Sequence, residues 1–183
     1  MTLQTQRLTY EEYLKLPEMR ARYDIVDGEL IMSPSPTTEY QKVLRQLFRM
    51  LDRFVTEHQL GEVLFAPLDV LVQRTPLRTR QPDLLFVSTE RVAILAEIVD
   101  GAPDLVVEIL SPSNTRADIE NKLDDYSRIG VRECWLVSSE ARTIEVLELS
   151  GGNWTRVGLF GLGDQVESNV LAGLAFAVEE LFA

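Results

Sequence analysis

The chain holds one cysteine and one histidine in 183 residues. With Cys134 alone, neither an intrachain disulfide nor a cysteine-type zinc site can form. With His58 alone, multi-histidine metal sites are excluded, so any metal must be held mainly by oxygen. That favours magnesium or manganese over zinc or copper. No segment approaches the roughly 20 consecutive apolar residues that span a bilayer. The first residues, MTLQTQR, lack an apolar signal region, and a soluble cytoplasmic protein is expected. Positive charge is also scarce: 18 basic residues face 29 acidic ones, a net charge of −11. Tight non-specific nucleic-acid binding normally rests on a basic footprint. A local basic patch remains compatible with this composition, and bound cations would offset part of the field at a site. Lysine is scarcest among the basic residues, with only Lys15, Lys42 and Lys122.

What is present suits a folded core. The chain is 45% hydrophobic and 26% charged, as expected for a single domain over residues 1–183. Thr9 to Glu12 reads as a capping box opening a short helix. Tyr23 to Val26, Asp27-Gly28 and Glu29 to Met32 read as a β-hairpin. From Thr38 to His58 the apolar residues Val43, Leu44, Leu47, Phe48, Leu51, Phe54 and Val55 recur at helical steps, with Gly61 as the stop. Strands are expected at 62–72, 83–87, 93–98 and 105–110. A helix follows, capped by Thr115 with Asp118 and ended by Gly130. Glu133 to Val137 reads as a strand, 143–149 and 154–159 as a hairpin, and 175–182 as a closing helix. The order predicts an α/β fold: a mixed β-sheet flanked by helices, with additional β-hairpins.

Two acids stand out because they lie in apolar strands, where an unpaired carboxylate is costly. They are Asp83 in QPDLLFV and Glu108 in DLVVEIL. Side chains alternate across a strand, so Glu108 points to one definite face. If the two strands are neighbours, both carboxylates reach one cation, with the Ile109 carbonyl as a candidate third ligand. Lys122 lies on the following helix, beside its apolar stripe and four residues before Tyr126. It can bring an ammonium to the same place. Two carboxylates and a lysine are the minimum equipment for metal-assisted phosphodiester hydrolysis. Each residue alone also has a plain structural reading: a strand-start aspartate, a glutamate paired with an arginine, a solvated helix lysine. His58, in the last turn of its helix, reads as structural, and Asp104 as shaping the start of its strand.

At these residues the chain resembles the PD-(D/E)XK nuclease superfamily and, more narrowly, the Uma-two family of restriction-endonuclease-like proteins. The resemblance is carried by YDIVDGEL (23–30), MSPSP (32–36), QPDLLFV (81–87), GAPDLVVEILSP (101–112), DIENKLDDY (118–126) and GVRECWLV (130–137). It covers roughly 10–149, with the nuclease core at about 23–149. It implies a restriction-endonuclease-like fold, Asp83 and Glu108 as metal-binding acids, and hydrolysis of DNA with Mg2+ or Mn2+. The superfamily usually places a lysine two residues after the second acid, where this chain has Leu110. The resemblance then implies a migrated lysine, Lys122. Glu29 matches a further family acid and is a candidate accessory, as is Tyr126. Relatives often carry histidine where this chain has Tyr40, which leaves no role expected for that position. The implied partner is nucleic acid, DNA above all, cut by a homodimer or higher homo-oligomer. The alternatives are a nuclease-fold binding or assembly module without catalysis, and a hydrolase of another phosphate ester.

Overall fold

The computed structural model describes residues 7–17, 19 and 21–182. In chain order its elements are α1 (Tyr10–Tyr13), β1 (Tyr23–Val26), β2 (Glu29–Met32), α2 (Thr38–Glu57), β3 (Gly61–Phe65), β4 (Val70–Gln73), β5 (Arg78–Arg80) and β6 (Leu84–Ser88). A 3-10 helix (Thr89–Ile94) leads to β7 (Leu105–Leu110), α3 (Arg116–Ile129), β8 (Glu133–Ser138), β9 (Thr143–Ser150) and β10 (Asn153–Phe160). β11 (Gln165–Glu167), β12 (Ala175–Ala177) and the one-turn α4 (Val178–Leu181) close the described chain. Among the described residues, no helix is long and apolar enough to cross a membrane.

Six strands form a mixed sheet in the order β10-β9-β8-β7-β6-β3. Within it β7 and β8 run parallel, while the other neighbours are antiparallel. A parallel pair needs a crossover, and α3 supplies it. The two faces of β7 explain why its sequence is almost wholly apolar. Leu105, Val107 and Ile109 pack toward α2, whose Val43, Leu47, Leu51 and Val55 are all buried. Full burial of such side chains is worth roughly 1.5–3 kcal/mol each, so this stripe fixes the helix on the sheet. On the opposite face Val106 packs with Leu85, Val87 and Tyr126 of α3. Glu108 shares that second face and is the charged residue within it.

A second, four-stranded sheet has the order β2-β1-β5-β4. Its β1–β2 hairpin turns at Asp27 and Gly28, both with positive φ (52° and 81°), the geometry for which Asp-Gly is favoured. Val70 of β4 joins the core on the α3 side. The small sheet therefore abuts the helix that carries Lys122.

Four expectations are corrected. The strand expected over 62–72 is two strands in different sheets, because Pro67 cannot donate within a sheet interior. Residues 93–98 form no strand: the 3-10 helix runs to Ile94, and Leu95 and Val70 each make only an isolated bridge to Val99. The segment lacks the alternation that would give it a buried face. The closing helix is mostly β12, where buried Phe176 is flanked by less buried Ala175 and Ala177, and only one turn of helix follows. Finally, α2 ends at Glu57, with the reversal taken by Gln59 at φ 54°. Gly61 instead opens β3, where a Cβ would come within 2.1 Å of the Val87 carbonyl oxygen.

Candidate active site

The antiparallel register of β6 and β7 pairs Leu84 with Val107, Leu85 with Val106 and Phe86 with Leu105. Carried back by one residue, it sets Asp83 across from Glu108. Both carboxylates are nearly buried, at 2% and 5% exposure, so each must find partners. Asp83 Oδ2 accepts the backbone N–H of Ile109. Its Oδ1 accepts the guanidinium Nη1 of Arg22 and, at 2.5 Å, the hydroxyl of Tyr40 on α2. Arg22 also donates from Nη2 to the Gln81 carbonyl oxygen and from Nη1 to the Tyr40 oxygen at 2.9 Å.

Glu108 is served from the other side. Lys122 Nζ donates to its Oε2 at 2.6 Å, and the Tyr126 hydroxyl donates to Oε1. Residues four apart lie one above the other on a helix, so α3 presents both donors along one line. Burial pushes the Glu108 carboxyl up, and nearby Asp83 adds to this. Lys122 and Arg22 oppose the rise without cancelling it. Burial alone would pull the Lys122 ammonium down, but Glu108, Asp24 and Asp83 outweigh it and hold the group above the usual lysine value. The hydroxyls of Tyr126 and Tyr40 are raised by burial and by the carboxylates they bond, which keeps them donors. Two anions and two cations thus balance within one pocket of the fold.

The orientation of α3 has its own cause. Thr115 and Asp118 form the expected capping box, and Gly130, at φ 87°, ends the helix in the left-handed conformation. On the flank facing the small sheet, Asp125 is fully buried. It receives Arg78 Nη1 at 2.6 Å, Arg80 Nε at 2.7 Å and Arg80 Nη2 at 2.6 Å. Arg80 continues to Asp24 Oδ2 at 3.1 Å, and Asp24 Oδ1 accepts the Gln81 N–H at 2.9 Å. This network joins β1 and β5 to α3 just behind Lys122 and Tyr126.

The structure therefore brings together Asp83, Glu108, Lys122, Tyr126 and the Ile109 backbone. It does not bring Glu29 to them. Glu29 is exposed and lies 3.8 Å from Arg7. The hairpin acid that acts on the site is Asp24, through its charge on Lys122. The criterion that singled out Glu108, an acid within an apolar strand, applies equally to Asp24 in YDIV. Tyr40, for which no role was expected, binds Asp83. Arg22, just before β1, had no sequence signal. His58 lies at the end of α2, stacked on Phe54 and donating to its carbonyl oxygen at 2.8 Å. Asp104 shapes the start of β7: it accepts the Ser88 N–H at 2.8 Å and pairs with Arg91 and Arg132.

Among the described residues no three His, Cys, Asp or Glu side chains converge as a metal cage. The acidic donors at hand are the two carboxylates of Asp83 and Glu108. That set suits magnesium, which typically keeps several waters and binds through one or two carboxylates. A cavity of about 20 Å3 borders Glu108, Lys122, Asn114 and Asp118, roughly the room a single water occupies.

The chain matches the sequence profile of the family Uma2, described as "Putative restriction endonuclease", over residues 10–179. No curated protein matches it. It is similar in structure to a protein from Anabaena variabilis ATCC 29413 described as "a putative nuclease belonging to DUF820". The TM-score is 0.82 at 20% identity, over 96% of this chain and 97% of the other. That likeness shows the fold, and the expected restriction-endonuclease-like α/β architecture is the one found. The profile match, running over nearly the whole length, places the chain in the Uma2 family of restriction-endonuclease-like proteins.

Proposed function

We propose that this protein is a magnesium- or manganese-dependent endonuclease that hydrolyses DNA phosphodiester bonds, acting as a homodimer or higher homo-oligomer. The observation that carries this reading is the placing of Asp83 and Glu108 on adjacent strands with the Lys122 ammonium 2.6 Å from Glu108. Family membership supports the same reaction class. Asp83, Glu108 and the Ile109 carbonyl would hold the metal, which supplies Lewis-acid polarisation of the phosphate and a more acidic water. Lys122 holds its proton firmly and sets a fixed positive charge at the reacting phosphate, where negative charge grows. Tyr126 fixes the Glu108 carboxylate so that one oxygen faces Lys122. Tyr40 and the Ile109 N–H do the same for Asp83.

Calorimetric titration of manganese into the wild type and Asp83→Asn, followed by plasmid cleavage with each metal, tests the proposal. Uptake and cleavage in the wild type, both lost in the variant, are expected. A second reading has one observation in its favour: every oxygen of the two carboxylates already has a donor, as in a structural ion-pair network. A nuclease-fold binding module would then show no metal uptake in either protein and no cleavage.

A further inference from the structure

Arg22 lies outside the set of acids and lysine that the metal chemistry needs, yet it is bonded to Asp83. Its side chain is 25% exposed where Asp83 is 2% exposed, so the partner that holds Asp83 Oδ1 is the more accessible of the two. Asp83 Oδ1 carries two donors, Arg22 Nη1 and the Tyr40 hydroxyl, which is the full capacity of one carboxylate oxygen. Oδ2 is held by the Ile109 amide. A cation that binds Asp83 Oδ1 therefore competes with Arg22 for that oxygen. Electrostatics says the same. Asp83 and Glu108 are already balanced by Arg22 and Lys122, and a divalent cation added beside both would leave two uncompensated positive charges. The imbalance is relieved if Arg22 leaves Asp83 and an anion arrives. A phosphodiester is such an anion, and guanidinium pairs with phosphate oxygens by a two-pronged bond.

We infer that Arg22 exchanges partners: it holds Asp83 until a divalent cation takes that carboxylate, and then binds a phosphate of the substrate. This inference rests on the reading of Asp83 and Glu108 as metal ligands, and it makes metal and nucleic acid bind cooperatively. Its signature is opposite in sign for the two ligands, which a merely structural arginine would not produce.

The test is calorimetric titration of manganese into wild type, Arg22→Gln and Arg22→Lys. Binding of a short DNA duplex is measured in parallel, with calcium as a hard cation of the same ligand preference. Loss of the competing charge is expected to tighten manganese binding on the order of tenfold in Arg22→Gln. Arg22→Lys is expected to fall between, because an ammonium pairs less rigidly with a carboxylate. Duplex binding in calcium is expected to weaken on the order of tenfold in Arg22→Gln. If Arg22→Gln does not fold, the lysine variant against wild type decides the metal arm. Manganese affinity that is unchanged or weaker in the variants, while the wild type binds, overturns the exchange and leaves the metal reading standing. Duplex affinity that does not change overturns the phosphate half. No manganese uptake in any of the proteins removes the metal reading and the exchange with it.

Discussion

Replacing Lys122 with methionine isolates the central ion pair. Methionine keeps an apolar stem of similar length, so the main loss is the ammonium 2.6 Å from Glu108 Oε2. Breaking a buried pair by removing one partner costs about 3–5 kcal/mol. Two features reduce this here. The Lys122 side chain is 20% exposed, and Glu108 can escape its lost partner by taking a proton, at about 1.4 kcal/mol per unit between its pKa and the ambient pH. A cost of roughly 2–3 kcal/mol near neutral pH follows. For a domain of this size that lowers the melting midpoint by about 5–10 °C. The pH dependence gives the sharper test. Glu108 sits above its ordinary value when folded, so its contribution to stability is present below the unfolded pKa and is lost as pH rises through the folded one. Removing Lys122 lifts the folded value further and deepens that loss. The Lys122→Met deficit, measured by urea unfolding, is therefore expected to be larger at pH 7.5 than at pH 5. In a Glu108→Gln background the lysine substitution should show no such pH dependence, and the double-mutant cycle isolates the coupling. An equal deficit at both pH values would falsify the assignment of Lys122 as the counter-charge of Glu108.

Two further outcomes concern the scaffold. Asp125→Ala removes the buried carboxylate that Arg78 and Arg80 share; because Arg78 keeps Asp27 and Arg80 keeps Asp24, the cost in urea unfolding should fall at the lower end of the range for a broken buried pair, about 3 kcal/mol. Glu120→Ala, which breaks the exposed pair with Arg116 on the same helix, should change stability by under about 1 kcal/mol. Gly61→Ala forces a Cβ onto the Val87 backbone at a φ of 150°. It should destabilise by several kcal/mol (on the order of 3), read as a lower thermal midpoint.

The elements that were legible in the sequence are those with a strong period or a local chemical signal. The stripe of α2, the Asp-Gly hairpin, the Thr115–Asp118 box and the apolar β7 all declare themselves within a few residues. So did Glu108, because a carboxylate in LVVEIL has no inexpensive explanation. What stayed hidden is what depends on contact between distant segments. Arg22 is one arginine among many until the fold lays it against Asp83, 61 positions away. Asp24 obeys the rule that singles out Glu108, but the family resemblance points to Glu29, which faces solvent. β5 is a three-residue strand rich in arginine, RTR. It reads as a charged loop until Asp24 and Asp125 neutralise it. The misread strand at 93–98 and helix at 175–182 share one cause: short apolar runs carry too few periods to distinguish strand, helix and 3-10 turn.

The network of Asp125 with Arg78 and Arg80 decides how a lysine carried on a helix, and not on a strand, is aimed at Glu108. On a strand, side-chain direction is set by the pleat and has two values. On a helix it is an angle, advancing about 100° with each residue, and the apolar stripe of α3 alone tolerates some rolling. The buried carboxylate of Asp125, gripped by two forked guanidinium groups three positions beyond Lys122, works as an angular stop. Residues gained or lost in the loop at 111–115 can be absorbed, because the stop resets the helix. A residue gained between Lys122 and Asp125 cannot, because it swings the ammonium a quarter-turn or more away from Glu108. The small sheet is thus the part of the molecule that gives the helix-borne Lys122 a fixed direction.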